Sequence, residues 1–281
     1  MPYSYIDDAD ANLKMKCDIQ AIERVTLAAV APEMVHELPG WLLPMDGGTI
    51  GRAHSAVPVL HDAASADLAL IPAIVAQYAK QGMQAKFRLP CVPAFVPFCD
   101  ALKALGYVPA YPTLVQIGTN IAMRAVTAQP CASILRAPDA QWASVFSSEA
   151  GLSSADITRR LESFTKAFDA VYASVRQDAS NLSGASNSQV RATLAVGVGA
   201  FHQGWVCVHG VNTAAQYRRQ GLAARVLAGI AQAALDKGVS QVVLQVEEAN
   251  AGAQSLYLRA GFSTAWKYVY WQLPAALKSS C

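Results

Sequence analysis

Tyr217-Arg218-Arg219-Gln220-Gly221-Leu222-Ala223-Ala224 and, downstream, Asn250-Ala251-Gly252-Ala253-Gln254-Ser255-Leu256-Tyr257-Leu258-Arg259-Ala260-Gly261-Phe262 are the two stretches that decide how this chain folds. The first follows two β-rich runs, 191–201 and 204–213, separated by His202-Gln203. It opens an amphipathic helix over 222–235, whose Leu222, Val226, Leu227, Ile230 and Ala234 share one stripe. Lys237-Gly238 supplies a cationic last turn and a capping glycine. Residues 242–246 form a nearly continuous apolar run, as a buried strand with a parallel neighbour requires. A helix over 251–260 stops at Gly261, and aromatic-rich residues 262–273 supply the closing strands. Strand, helix, strand, helix, strand implies an α/β (α+β) fold with a mixed sheet and a right-handed crossover.

The start of the 222–235 helix has the chemistry of an anion site. Free N–H groups and the helix dipole meet there. Gly221 lets a phosphate approach the backbone with no Cβ in the way, and Ala223 and Ala224 keep the first turn narrow. Taken alone, Arg-x-x-Gly-x-Ala also fits a basic loop at an ordinary helix start. The second stretch removes that ambiguity. Residues 211–224 resemble motif A of the GNAT acyltransferases, and residues 250–262 resemble their motif B, Asn-x-x-Ala-x-x-Leu-Tyr-x-x-x-Gly-Phe. Order, spacing and strand–helix context agree for both, and the clear resemblance covers 191–273.

The resemblance implies a GNAT fold and an N-acetyltransferase that moves the acetyl group of acetyl-CoA onto the amine of a small molecule or amino-acid-like acceptor. Coenzyme A is the co-substrate, with no metal. It implies that Val211, Asn212 and Thr213 bond the pantetheine arm through their backbone. Arg219, Gln220, Gly221, Leu222, Ala223 and Ala224 would cradle the pyrophosphate. Asn250 would bond the cofactor arm, and Tyr257 would stand beside the thioester and protonate the departing thiolate. Amine attack passes through a tetrahedral oxyanion that a strand N–H can stabilise.

The base is not spelled out. An alkyl amine has a pKa of about 10 and must lose a proton first. Many family members place Glu on the strand entering motif B, where this chain has Gln245. Glu247, two residues on, shares the strand face of Gln245, while Glu248 points the other way. His209 on the preceding strand has a suitable ordinary pKa. A water relay is a further route. Each candidate also has a purely structural reading, and Cys207 reads as a core residue.

Composition narrows the classes. The chain has 281 residues, 53% hydrophobic and 15% charged, with a net charge of +2. That balance excludes the basic stripe of a nucleic-acid binder. No apolar run reaches membrane-spanning length, and Asp7, Asp8 and Asp10 stand where a signal peptide would carry basic residues. The six cysteines form no Cys-x-x-Cys pair and no zinc spacing. The expectation is a cytoplasmic protein, monomer or homodimer, with reduced thiols.

Upstream, helices are expected at 18–30, 66–80 and 94–105, and strands at 40–45, 50–59, 85–89 and 113–117, with a hairpin at Asp46-Gly47-Gly48. Little periodicity survives between 120 and 130. The domain division is therefore set at 1–125 and 130–281. The second part begins with a strand at 133–136, helices at 140–149 and 154–168, and a strand at 171–176, followed by a polar exposed loop at 178–189. Ala101-Leu102-Lys103-Ala104-Leu105-Gly106-Tyr107 echoes Leu256-Tyr257-Leu258-Arg259-Ala260-Gly261-Phe262: helix, capping glycine, aromatic, strand. Any αβ unit can end so. The sharper reading is two related half-domains in tandem, the first degenerate. Specificity is expected from 140–168, 178–189 and 266–271, which carry no acidic run for a polycationic acceptor. An acyl-CoA-binding regulatory module without transfer, or a docking role for the first half, remain the other classes. Because the first half lacks Arg-x-x-Gly-x-Ala, titration calorimetry with acetyl-CoA should give one site per chain; a stoichiometry of two would overturn the degenerate reading.

Overall fold

The computed structural model describes residues 18–148, 153–177 and 192–274; the loop expected at 178–189 lies outside them. Helix α1 (Ile19–Ala28) is started by Asp18, whose side chain accepts from the Ala21 amide at 2.9 Å. Strands β1 (Met34–Leu38), β2 (Trp41–Met45) and β3 (Val57–Pro58) follow, then α2 (Leu70–Lys80), β4 (Phe87–Pro90), α3 (Val96–Ala104) and the long β5 (Val108–Thr119). A short α4 (Asn120–Arg124) leads to β6 (Ser133–Leu135), α5 (Ala140–Phe146), α6 (Ser154–Thr165), β7 (Ala170–Arg176), β8 (Thr193–His202) and β9 (Trp205–Thr213). The chain then runs through α7 (Leu222–Asp236), β10 (Gln241–Glu247), α8 (Ala251–Arg259) and β11 (Ser263–Gln272).

Eight strands form one sheet, ordered β4-β11-β5-β10-β9-β8-β7-β6, and β1-β2-β3 form a second. The expected mixed sheet flanked by helices is what the chain builds. Strand β10 is parallel to β9, as its apolar run implies, but its other neighbour is β5, paired antiparallel from Gln241↔Thr119 to Glu247↔Thr113. Strand β5 also pairs with β11, and the far end of β11 pairs with β4 from Tyr268↔Pro90 to Trp271↔Phe87. The arrangement is reciprocal. The strand after α3 runs beside the later half's β10, and the strand after α8 runs beside the earlier half's β4. Gly106 and Gly261 end those two helices at φ +86° and +81°, a left-handed conformation that glycine adopts without steric cost.

The elements differ from the sequence reading in the first hundred residues. The strand expected at 50–59 is a 3-10 turn at Gly51–His54 followed by only two strand residues. The Ser55 hydroxyl donates to the Gly51 carbonyl and the Ala53 amide to the Ile50 carbonyl, so the backbone closes on itself locally. The tight hairpin is at Pro39-Gly40, where Gly40 takes φ +78° and Leu38 faces Trp41. Strand β5 is much longer than the five residues expected, because both of its ends find a partner.

Opposite faces of the large sheet have separate cores. Val226, Leu227 and Ile230 of α7 pack with Val242, Leu244, Val246 and Tyr257 on one. Ile22 and Val25 of α1 pack with Val115, Cys207, Val243 and Tyr268 on the other. Into that second face comes a charged pair, Glu23 of α1 and Arg88 of β4, 2.6 Å apart and both fully buried. Burial pushes the Glu23 carboxyl above its ordinary value against the pull of Arg88. The Arg88 guanidinium also lies over the Tyr268 ring, 5.0 Å from its centroid. Its Nε and Nη1 have no partner among the described residues, so Glu23 is the group that compensates this cation. Glu23→Ala should therefore destabilise the fold by about 3–5 kcal/mol, whereas Glu23→Leu with Arg88→Met should recover most of the loss. Denaturant titration of the three proteins checks this; a single variant as stable as the parent would contradict it.

Candidate active site

The site begins where two parallel strands part. The ladder between β9 and β10 stops at Val208↔Leu244, although β9 continues to Thr213 and β10 to Glu247. A bulge explains the divergence. Opposite β8 the register steps from Val198↔His209 to Val196↔Asn212, so β9 holds one extra residue. Gly210 takes φ +60° there, and a Cβ on it would come within 3.1 Å of the Phe146 ring. Val211 lies in the bulge. Asn212 donates its amide to the Val145 carbonyl at 3.0 Å, anchoring the parted strand to α5, and Thr213 pairs with Ala195.

Past Thr213 the chain makes a 3-10 turn at Ala215–Tyr217 and enters α7. Arg219 and Gly221 both take positive φ, +63° and +76°. Gly221 is the N-cap and offers no side chain to the helix amides. Ala224 and Arg225 both donate to the Gly221 carbonyl, which leaves the Leu222 and Ala223 amides without a helical acceptor. A Cβ on Gly221 would meet nothing closer than Gln129 at 3.8 Å, so the space in front of these amides is open. The turn Arg219-Gln220-Gly221-Leu222-Ala223-Ala224 thus fits a pyrophosphate: exposed amides, a dipole end and an Arg beside it.

Helix α8 covers the same face of β10. Asn250 is its N-cap, its side-chain oxygen accepting from the Ala253 amide at 3.0 Å. That leaves the Asn250 amide hydrogens for any other partner. Tyr257 packs edge-on against Phe262. Burial pushes its pKa to about 12.

The base candidates sit on the opposite face. His209 is buried, with its ring 4.6 Å from that of Phe164 and both ring nitrogens unpartnered among the described residues. Burial, then the charge of Arg52, lowers its pKa to about 3. Glu247 is exposed at the end of β10 and, with Gln245, lines a cavity of about 510 Å³. Glu248 points away and pairs with Lys267 at 2.8 Å. Cys207 is a buried core residue, its thiol pushed up to about 11 by burial. Gln245 is fixed in orientation. Arg52 can only donate, so the amide oxygen faces it at 3.4 Å and also accepts from the Tyr268 hydroxyl at 2.8 Å.

Sequence reasoning missed the other wall of this cavity. Arg52, His54 and Lys86 come from the first half; Arg160 of α6 lies within the 140–168 segment expected to carry specificity. Tyr268 and Tyr270 lie within the 266–271 segment, of which the same was expected. Arg52 and Gln245 are 193 residues apart, so no spacing could have joined them. Among the described residues no cluster of His, Cys, Asp and Glu could hold a metal, and no helix is long and apolar enough to cross a membrane.

A family model described as "Probable histone acetyltransferase Rv0428c C-terminal" matches residues 16–271. No curated protein sequence matches the chain. A solved GCN5-related N-acetyltransferase from Kribbella flavida is similar at a TM-score of 0.67 and 16% identity, covering 94% of this chain and 98% of that one. A conserved protein of unknown function from Staphylococcus epidermidis gives 0.63 at 12% identity, over 91% and 100%. A tandem GNAT protein from the clavulanic acid biosynthesis pathway gives 0.53 at 16% identity, over 94% and 98%. At these identities the likeness is one of fold: a GNAT fold, with a GNAT-like first half in tandem.

The left-handed N-cap generates a charge test. Asn and Asp tolerate positive φ better than other non-glycine residues, and both cap helices well. If the turn holds a pyrophosphate, Gly221→Asp should keep the melting temperature near that of Gly221→Asn while binding acetyl-CoA at least 10-fold more weakly, because its carboxylate would face that anion. Equal calorimetric affinities for the two variants would remove the anion from this turn.

Proposed function

Since the chain belongs to the Rv0428c C-terminal family, whose model is described as a probable histone acetyltransferase, we propose that it is an N-acetyltransferase that moves an acetyl group from acetyl-CoA to a small amine. The observation that carries this reading is the parting of β9 from β10 immediately ahead of the uncapped α7 N-terminus. The half-domain division at 1–125 and 130–281 belongs to the same proposal.

Acetyl-CoA would supply an acyl group activated as a thioester, which the deprotonated amine takes with release of the thiol. The chain's own groups then have distinct tasks. The Leu222 and Ala223 amides, beside Arg219, Gln220 and Ala224, hold the pyrophosphate at the dipole end. The backbone of Val211, Asn212 and Thr213, free of β10 along that edge, aligns the pantetheine arm, with Asn250 contributing its amide. Tyr257 keeps its proton because burial disfavours the phenolate, so it remains a donor at neutral pH for the departing thiolate.

Glu247 suits the base role better than His209. The carboxylate lines the cavity, whereas the His209 ring packs against Phe164 and its basicity is depressed by burial. Gln245 holds no proton in exchange; its oxygen is engaged by Tyr268 and Arg52. Glu247 accepts the amine proton directly or through water. A regulatory module that binds acetyl-CoA without transfer would share the α7 turn but have no use for Tyr257.

Thiol release from acetyl-CoA across a panel of amines tests the reaction. Tyr257→Phe keeps the ring and removes the donor. Turnover should fall on the order of 10²–10⁴-fold, with acetyl-CoA affinity and melting temperature unchanged. Parental turnover in Tyr257→Phe would eliminate Tyr257 as the acid, and absence of thiol release with every amine would favour the regulatory module.

A further inference from the structure

The cavity beside Gln245 is built from both halves and carries an unbalanced charge. Among the described residues its lining includes Arg52 and Lys86 against one carboxylate, Glu247. His54 does not add to the positive total, because burial, then Lys86, lowers its pKa to about 4. Neither Arg52 nor Lys86 forms an ion pair among the described residues. Arg52 reaches only the neutral Gln245 amide, at 3.4 Å, and Lys86 only the His54 Nε2, at 3.1 Å. The nearby buried carboxylate, Glu23, is taken by Arg88 at 2.6 Å.

The unused hydrogen-bonding capacity points the same way. Arg52 Nε and Gln245 Nε2 are buried without a partner among the described residues, and both are donors. Buried donors without acceptors are costly, and cations without counter-ions more so. Such a site is completed by an anion that accepts from several donors at once, as carboxylates and phosphates do with Arg. Tyr268 and Tyr270 limit its size. A cavity of about 510 Å³ suits a small molecule. A lysine-rich peptide would meet Arg52 and Lys86 with like charge.

We propose that the acceptor is a small amine carrying an anionic group, a carboxylate or a phosphate, which Arg52 and Lys86 hold in the cavity between the halves while Glu247 faces the amine. The amine's part in this rests on the acyl-transfer reading; the anion site does not. The first half therefore contributes the acceptor's anchor.

The test pairs probes that differ by one anionic group: β-alanine with β-alaninamide, and O-phosphoethanolamine with ethanolamine. Calorimetry measures their binding to the full chain with CoA present, and thiol release measures transfer. The charged member of at least one pair should bind at least tenfold more tightly than its neutral partner, and which pair does so separates carboxylate from phosphate. Arg52→Met should abolish that preference and leave acetyl-CoA affinity unchanged; Lys86→Met is a second variant should the first fail to fold. Arg52-dependent binding of a charged probe without any thiol release would keep the anion site and reject acyl transfer. Thiol release with neutral amines alone would keep acyl transfer and overturn the anion site. Equal binding within both pairs, no binding by any of the four, or a preference that survives in every folded variant would also overturn it.

Discussion

The antiparallel pairing of β5 with β11 inside the large sheet is the constraint on which the other features rest. Each strand follows a helix, a left-handed capping glycine and an aromatic: α3, Gly106 and Tyr107 before β5, α8, Gly261 and Phe262 before β11. Each then extends past its own half. Strand β5 supplies the neighbour that β10 needs from 241 to 247, and β11 supplies the neighbour that β4 needs from 87 to 90. Without the exchange, β10 would be left as an unpaired edge, which proteins generally avoid, and β4 would have no neighbour in the large sheet. The two halves therefore complete one sheet together.

Two openings follow from that shared sheet. On the α7 face, the bulge at Gly210 turns β9 away from β10 and leaves a gap ahead of the Gly221 turn. On the α1 face, β10 carries Gln245 and Glu247 toward residues that only the first half can supply. Strand β10 thus separates the two regions that the proposed reading assigns to a phosphorylated co-substrate and to its acceptor, with alternate side chains facing the two sides.

A chain of polar groups connects these pieces through the interior. Glu23 on α1 pairs with Arg88 on β4, Arg88 lies over Tyr268 on β11, Tyr268 donates to Gln245 on β10, and Gln245 accepts from Arg52 in the 3-10 turn. Buried polar groups of this kind tolerate little rearrangement, because each lost partner leaves a desolvated group behind. They hold α1 and β4 in a single relation to the β10, β11 and 3-10 walls of the cavity.

The sequence by itself determined the elements of the later half and the chemistry of its turns. The stripe from Leu222 to Ala234, the Gly221 turn and the glycines at 106 and 261 could be read because periodicity and capping act over a few neighbouring residues. It also exposed the loss of the strand Glu at Gln245. It did not reveal β1, whose Met34 and Val35 are exposed and show no burial alternation, nor the 3-10 turn that carries Arg52. Tertiary structure alone decided that β5 lies between β10 and β11, where β9 and β10 part, that burial suppresses His209's basicity, and that Arg52 and Lys86 stand in one cavity with Gln245 and Glu247. A buried strand has the same apolar pattern whichever neighbour it takes. The choice of neighbour, and every side chain that the choice brings together, is settled by long-range pairing and packing that no local spacing encodes.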